Sequence, residues 1–348
     1  MTQAKDSSTA LWGGIAFSFA FTGLIWYAGA HWLQPGALTL DRSGFWYEWQ
    51  LVEPTVASRA TAWAGYLVHQ VAIWWLIWVA QKERPAYTSG LRRFNVLALA
   101  TNAVFIGLHF VQTQIWYDGL AQDVHETTAQ WSVIILLIAV LLMENKRRGL
   151  VFGVGSTWVE KAGPFVRRYH GYFFAWATIY TFWYHPMEDT WGHLFGFFYM
   201  FLLMLQGSLF FTRAHVNRRW TVVLEVTFAI HGGMVAYLAG QGWQMFLMGG
   251  LAMFIITQMH GLGLSRRARW LIALGYGIPL ALIHLPAYGL WDALVRRGRD
   301  QLAVFSFAAL CGAAQADSTL ITPQTYNALV TMHGTTMMFL FAVPAVEA

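Results

Sequence analysis

Residues 11–33 read LWGGIAFSFAFTGLIWYAGAHWL, without a single Asp, Glu, Lys or Arg. A helix of roughly 20 apolar residues, rising about 1.5 Å per residue, crosses the ~30 Å hydrocarbon core of a bilayer. The stretch therefore predicts a transmembrane helix. Trp26, Tyr27 and Trp32 lie near its end, where the aromatic belt of a membrane protein is expected. No small-residue cleavage site follows it, which argues against a secretory signal peptide.

The composition of the whole chain agrees with this first stretch. Of 348 residues, 57% are apolar and only 11% are charged, with 22 Lys and Arg against 17 Asp and Glu. About a quarter of a soluble domain is charged, so an ordinary water-soluble enzyme is excluded. The 19 Trp, 25 Phe and 14 Tyr exclude a disordered chain, and the single Cys311 excludes disulfide frameworks and thiolate metal clusters. We expect the lipid bilayer as the partner, and no nucleic acid.

Apolar runs that reach or approach the length of a membrane span recur along the chain. Nine such runs are 11–33, 61–81, 94–117, 127–143, 170–187, 193–212, 220–240, 243–263 and 270–291. Two further apolar segments are 302–316, which is short, and 327–348, which extends to the last residue. The nine runs and the two further segments predict an all-α, polytopic transmembrane helix bundle with about 9–11 hydrophobic segments.

Basic residues concentrate in alternate loops, which predicts the orientation of the chain. Loops 82–93, 144–169, 213–219 and 264–269 are rich in Lys and Arg, whereas the intervening loops are acidic or neutral. Basic loops face the cytoplasm, so the N-terminus is predicted to be cytoplasmic. The rule breaks at Arg296, Arg297 and Arg299, which follow the run 270–291 and would lie outside. We therefore predict two domains, a multi-span membrane module over 1–295 and a second domain over 296–348.

The chain has twelve histidines, an unusual number of ionisable groups for so apolar a sequence. His69, His109 and His231 lie near the middle of their runs. An imidazole inside a membrane faces a cofactor, a cavity or a polar partner. A neutral imidazole satisfies haem iron, but donation to a carbonyl or hydroxyl of a neighbouring helix is the commoner arrangement.

Several other polar residues are candidates for a site. His185, Glu188, Asp189 and His193 surround Pro186, a density that suits a divalent metal or a proton relay, although local pairing in a loop is the favoured interpretation. Glu225 lies inside an apolar run, and we expect its partner on another helix. His170 and His185 are spaced as in two-haem cytochromes, but no second run carries two such histidines. No GxxxxGK[ST], HExxH or GxSxG motif is present.

The most specific motif lies near the end of the chain. Residues 322–344 read TPQTYNALVTMHGTTMMFLFAVP, which follows the pattern P-x-x-Y-N and then T-x-H-G-x-x-M-x-F-x-F-x-x-P. The segment resembles the start of the second helix of subunit I of haem–copper oxidases. The matching residues are Pro323, Tyr326, Asn327, Thr331, His333, Gly334, Met337, Phe339, Phe341 and Pro344.

The resemblance implies a haem site with His333 as one axial ligand of a low-spin haem iron. Gly334 leaves space beside the imidazole, while Met337 and Phe341 wall the haem pocket at i+4 and i+8. The copper and the high-spin haem belong to later parts of the family's core. We therefore expect 296–348 to be a truncated start of a subunit I-like core without binuclear-centre ligands, which leaves open whether the chain is itself an enzyme.

The function implied is that of a membrane component of an aerobic respiratory terminal oxidase in a prokaryotic inner membrane. Such an oxidoreductase takes electrons from cytochrome c or quinol, works with other oxidase subunits and couples oxygen reduction to proton translocation. Two alternatives stay open. One is a self-contained membrane b-type cytochrome whose haem is held by histidines of the first module. The other is a non-redox membrane scaffold or transporter.

Overall fold

The computed structural model of the protein describes residues 6–38, 49–83, 85–148, 157–238, 243, 247, 249–251, 261 and 263–287. Helices make up 79% of these residues, and only isolated bridges occur among them in place of strands. The α-helices are α1 (Ser7–His31), α2 (Val56–Glu83), α3 (Arg93–Trp116), α4 (Glu126–Arg148), α5 (Thr157–Tyr184), α6 (Trp191–Ser208), α7 (Arg218–Leu238) and α8 (Arg266–Ala287), with a 3-10 turn at Leu120–Gln122.

Five helical segments in the described part of the chain are long and apolar enough to cross a membrane: α1, α2, α3, Thr127–Glu144 of α4, and α7. Large apolar side chains cover the outside of these helices, such as Trp12 at 70% and Trp75 at 60% exposure. Lipid accepts such a surface, whereas water does not. The predicted all-α class is therefore confirmed for these residues, and five of their helices could span a membrane. The total of about 9–11 hydrophobic segments and the cytoplasmic N-terminus stay predictions. The predicted segments 302–316 and 327–348, and most of 243–263, lie outside them.

The helices do not coincide with the apolar runs at every end. Helix α5 begins at Thr157, whereas its apolar run begins at residue 170, because charged residues continue the helix past the apolar part and Pro164 is accommodated within it. Helix α6 ends at Ser208 although its apolar run extends to 212. The chain turns there, with Phe211 at a φ of 59°. Hydropathy thus predicts whether a segment lies in lipid better than it predicts where its helix begins and ends.

Local chemistry explains where several helices begin and end. The Asp6 carboxylate accepts a hydrogen bond from the Ser8 amide at 3.3 Å and caps α1. The Thr190 hydroxyl accepts from the His193 amide at 3.4 Å and caps α6, so both helix starts use the side chains that suit this position. Helix α3 is followed by Tyr117, whose φ of 45° is left-handed and stops the helix. Helix α5 ends just before Pro186, which disfavours a helical residue ahead of it.

The chain divides into two compact units. Unit 1 comprises Met1–Met143 and Pro164–Leu224, where α2 packs on α3, and both α1 and α3 pack on α6. An aromatic core formed by Phe182, Trp183 and Phe197 lies inside it. Unit 2 comprises Glu144–Gly163 and Glu225–Ala348. The predicted domain boundary at residue 296 lies outside the described residues and stays a prediction.

Candidate functional site

The predicted haem ligand lies beyond the described part of the chain. His333, Gly334, Met337 and Phe341 all fall within 288–348, of whose structure nothing is described. The haem pocket therefore stays a prediction from the motif.

Two fully buried histidines of unit 1 lie beside the aromatic core. His69 on α2 and His109 on α3 are both 0% exposed. Trp183 of α5 contacts both. Its indole lies 4.3 Å from the His109 ring, centroid to centroid, and its Nε1 donates a hydrogen bond to His69 Nδ1 at 3.3 Å. We call His69 and His109 the buried histidine pair.

Hydrogen bonds fix the tautomer of His69. Because Nδ1 accepts from Trp183, the proton of the neutral ring lies on Nε2, which donates to Asn102 Oδ1 at 2.8 Å. The Asn102 amide nitrogen in turn donates to Ser208 Oγ at 2.8 Å. The ring also stacks on Phe105 at 4.4 Å between centroids. A continuous series of hydrogen bonds therefore joins α5, α2, α3 and α6 through the interior of unit 1.

His109 is held at the opposite side of Trp183. Its Nε2 donates to the carbonyl oxygen of His185 at 2.8 Å, just after the end of α5. Its Nδ1 lies 3.2 Å from Gln112 Oε1 on the same helix. Both ring nitrogens therefore contact protein atoms.

The buried histidine pair is arranged for joining helices. A haem ligand offers iron a nitrogen lone pair, but the lone pair of His69 is engaged by the Trp183 indole, and Nδ1 of His109 is covered by Gln112. Polar side chains that hydrogen-bond across helices stabilise helix association in membranes. For these two histidines the geometry favours donation to neighbouring helices over haem ligation.

The predicted outer cluster pairs locally. The hydroxyl of Tyr117 donates to the Glu188 carboxylate, and His193 Nδ1 lies 2.7 Å from Thr190 Oγ1. The His185 and His193 rings lie 5.4 Å apart. Nowhere among the described residues do three of His, Cys, Asp or Glu come together as a metal site. The geometry supports local pairing, which the sequence also favoured.

Burial controls the protonation of the acidic groups at this end of unit 1. Glu188 and Asp118 are 7% and 3% exposed. Burial raises the pKa of the Glu188 carboxyl, and the neighbouring Asp189 raises it further. Burial likewise raises the pKa of the Asp118 carboxyl, and burial together with the Glu188 carboxylate raises the pKa of the Tyr117 hydroxyl. Because a buried charge is poorly solvated, the folded protein holds these protons more tightly than the unfolded chain.

We expect Asp118→Asn to raise the melting temperature in detergent micelles by about 2–4 °C at pH 8, and by less at pH 4. A carboxyl whose pKa is raised on folding contributes stability below its unfolded pKa of ~4, and that stability is lost as the pH rises through the folded pKa. The amide removes this loss while its oxygen can still accept from the Gly119 amide, as Asp118 does at 2.7 Å.

The matched control for this pH prediction is Asp6→Asn, since Asp6 is exposed and asparagine also caps a helix. Its melting temperature should follow that of the unmodified protein at both pH values. An Asp118→Asn variant with the same shift at pH 4 and pH 8 would contradict the assignment of a raised pKa.

Within unit 2, the buried carboxylate singled out in the sequence has its partner on another helix, as predicted. Arg148 Nη1 lies 3.0 Å from Glu225 Oε1, and Arg148 Nε lies 2.8 Å from Glu144 Oε2. Arg148 is 3% exposed. One guanidinium therefore pairs with a carboxylate of α4 and with a carboxylate of α7, and such pairing is how ionisable side chains are accommodated in an apolar environment.

Sequence reasoning did not identify Asn102 and Trp183 as partners of His69, or Ser208 as the partner of Asn102. One signal was present, because an asparagine in the middle of an apolar run is as costly in lipid as a histidine and needs a partner as well. Ser208 and Trp183 gave no such signal, since serine and tryptophan are ordinary residues in membrane helices.

Comparison with known proteins gave no match to a protein-family model, to a curated protein or to a solved structure. The functional argument therefore rests on the motif at 322–344 and on the geometry of the described residues.

Proposed function

We propose that this chain is a membrane component of an aerobic respiratory haem–copper terminal oxidase in a prokaryotic inner membrane, with its N-terminus in the cytoplasm. It would pass electrons from cytochrome c or quinol towards oxygen together with other oxidase subunits. The observation that carries the proposal is the agreement of residues 323–344 with the subunit I pattern, in which Thr331, His333, Gly334 and Met337 keep their spacing.

The residues that would hold the haem follow from this pattern. The His333 imidazole would be an axial ligand, and Gly334 would leave the space that a side chain would otherwise fill. Met337 and Phe341 follow at i+4 and i+8, so on a helix they lie on the same flank as His333 and form an apolar wall. A bound low-spin haem supplies one-electron transfer.

The described part of unit 1 supports different roles for the two ends of the chain. The histidines at its centre, His69 and His109, use both ring nitrogens in contacts with protein groups. A helical module whose buried imidazoles join its helices suits anchoring, assembly or subunit docking. Haem binding would then fall to residues 296–348, where the motif lies.

We expect His333→Ala to abolish the low-spin haem signal in the reduced-minus-oxidised spectrum of the purified full chain, because the iron loses an axial ligand. His31→Ala is the matched control. His31 is an exposed histidine in the last turn of α1 whose Nδ1 bonds the Tyr27 carbonyl, and its spectrum should be unchanged.

Two results would overturn the proposal. A haem signal that survives His333→Ala but is lost on replacing His69 or His109 with Leu would favour a self-contained b-type cytochrome. A purified chain with no Soret band and an intact helical circular-dichroism spectrum would favour a non-redox scaffold or transporter.

A further inference from the structure

A surface at the basic end of unit 1 combines an exposed cation with exposed indoles. Lys82 lies in the last turn of α2, and Trp78 and Trp75 lie about one and two turns before it. All three side chains are exposed. Lys82 Nζ is 3.7 Å from the centre of the Trp78 ring, and the centroids of the two indoles are 4.9 Å apart. The attraction of an ammonium group to an aromatic face holds Lys82 over Trp78.

Helix α5 is fastened to this end of α2 by the side chains of Gln81 and Trp74. Gln81 Nε2 donates to the Arg168 carbonyl oxygen at 2.6 Å, and Gln81 Oε1 accepts from the Tyr172 hydroxyl at 3.3 Å. Trp74 Nε1 donates to the Tyr172 carbonyl oxygen at 3.1 Å. The main chain of Arg168 therefore lies within reach of the residue next to Lys82.

The direction of the two helices places a second cation on the same side as Lys82. Helices α2 and α5 are antiparallel, because the first half of α2 packs on the last turns of α5 while the end of α2 bonds Arg168. Each residue turns a helix by about 100°, so in an antiparallel pair the residues that follow the contact positions point to the same side. Lys82 follows Gln81 in this way. On α5 the corresponding residue is Tyr169, and the Arg168 guanidinium lies over its ring at 5.4 Å.

The described part of the chain does not neutralise these two cations. None of the ion pairs among the described residues involves Lys82 or Arg168, and both side chains are exposed. Glu83 is the acidic residue next to Lys82, but it lies one step further around α2 and points away from α5. Arg167 adds a third exposed positive charge beside Arg168. An anion from outside the chain would complete this surface.

The spacing along α2 fits the layers of a bilayer. At 1.5 Å per residue, Trp78 lies about 6 Å and Trp75 about 10 Å from Lys82, towards the apolar part of the helix. The polar interface of one leaflet is about 5–8 Å thick. With Lys82 at the level of the phosphates, Trp78 lies at the base of the interface, where indoles concentrate, and Trp75 meets acyl chains. The same flank continues with the exposed Val71, so it passes from cations through indoles to an aliphatic surface.

We propose that Lys82 and Arg168 bind the phosphate of one anionic phospholipid, whose acyl chains lie along Trp78 and Trp75. Basic side chains at the ends of neighbouring membrane helices bind anionic headgroups. An acidic protein segment would match the cations but not the apolar flank below them, and a free phosphate would leave the indoles uncovered. The proposal requires α2 to lie in a bilayer, and it does not depend on the haem assignment.

The test is a titration of the purified, delipidated full chain with phosphatidylglycerol, followed by native mass spectrometry from detergent. We expect one phosphatidylglycerol to bind more tightly than any further lipid, and phosphatidylcholine with the same acyl chains to bind at least fivefold more weakly. Inorganic phosphate should not displace the bound lipid. Lys82→Gln and Arg168→Gln should each weaken binding about fivefold, the contribution of one basic residue near an anionic headgroup. Both residues are exposed and glutamine is a good helix former, so both variants should fold.

Arg93→Gln is the matched control for the two variants. Arg93 is an exposed arginine at the start of α3 rather than on α2 or α5, so removing its charge should leave binding unchanged. The proposal is overturned if Arg93→Gln weakens binding as much as Lys82→Gln, because any basic residue near the membrane would then serve. Equal binding of phosphatidylcholine, or displacement of the lipid by inorganic phosphate, also overturns it. So does an unmodified chain that binds no phosphatidylglycerol, a result that would favour an acidic segment of another protein.

Discussion

Replacing Asn102 with leucine should lower the free energy of unfolding by about 2–4 kcal/mol. Asn102 is 7% exposed, accepts from His69 Nε2 and donates to Ser208 Oγ. Leucine is as good a helix former and suits an apolar environment, so neither helix propensity nor lipid exposure explains such a loss. The cost arises because His69 keeps a buried N–H without an acceptor, and an unsatisfied buried donor costs the full penalty of its desolvation.

The prediction is checked by a double-mutant cycle with His69→Leu, measured by unfolding in detergent micelles. When both partners become apolar, no donor from this pair is left unsatisfied. The loss of unfolding free energy in the double variant should therefore be smaller, by at least about 1 kcal/mol, than the sum of the losses in the two single variants. Strict additivity would show that the hydrogen bond between Asn102 and His69 contributes nothing and that each side chain acts only through its own packing.

Replacing Gly65 with alanine should cost about 2–3 kcal/mol of unfolding free energy, because α2 and α5 touch at this residue. A Cβ at Gly65 would overlap the ring carbons of Trp183, and that indole is 1% exposed inside a packed aromatic core. A rigid ring cannot move aside as a flexible side chain can. The displaced indole would also lose its hydrogen bond to His69.

Gly107→Ala on α3 is the matched control for Gly65→Ala. No atom lies within 4 Å of a Cβ built at Gly107, so this variant should be neutral or should gain up to about 1 kcal/mol from helix propensity. Equal losses at both positions would show that the cost at Gly65 does not come from the contact with Trp183.

The two predictions concern contacts that local patterns do not reveal. An apolar run identifies a helix in lipid, because hydropathy depends only on the residues within one segment. It does not identify which face of that helix meets which neighbour. Ser208 on α6, which accepts a hydrogen bond from Asn102, lies more than a hundred residues further along the chain than Asn102, and nothing in the sequence around either residue relates the two.

Some long-range contacts could still be inferred from the sequence, where leaving a group without a partner in lipid would cost enough free energy. Glu225 inside an apolar run was expected to have a partner on another helix, and Arg148 is that partner. The requirement followed from the cost of an ion in lipid, but the identity of the partner did not. For His170 the sequence suggested a relation to His185 on the same helix, whereas the fold places His215 beside it.

The amino-acid sequence alone predicted a lipid environment, the helical class and the approximate position of the long apolar helices, since these depend on local composition and on the thickness of a bilayer. Tertiary structure decided which atoms satisfy His69 and His109, and that His170 lies beside His215. These depend on the mutual rotation and neighbourhood of helices, and such geometry is set by packing over the whole unit rather than by any one stretch of residues.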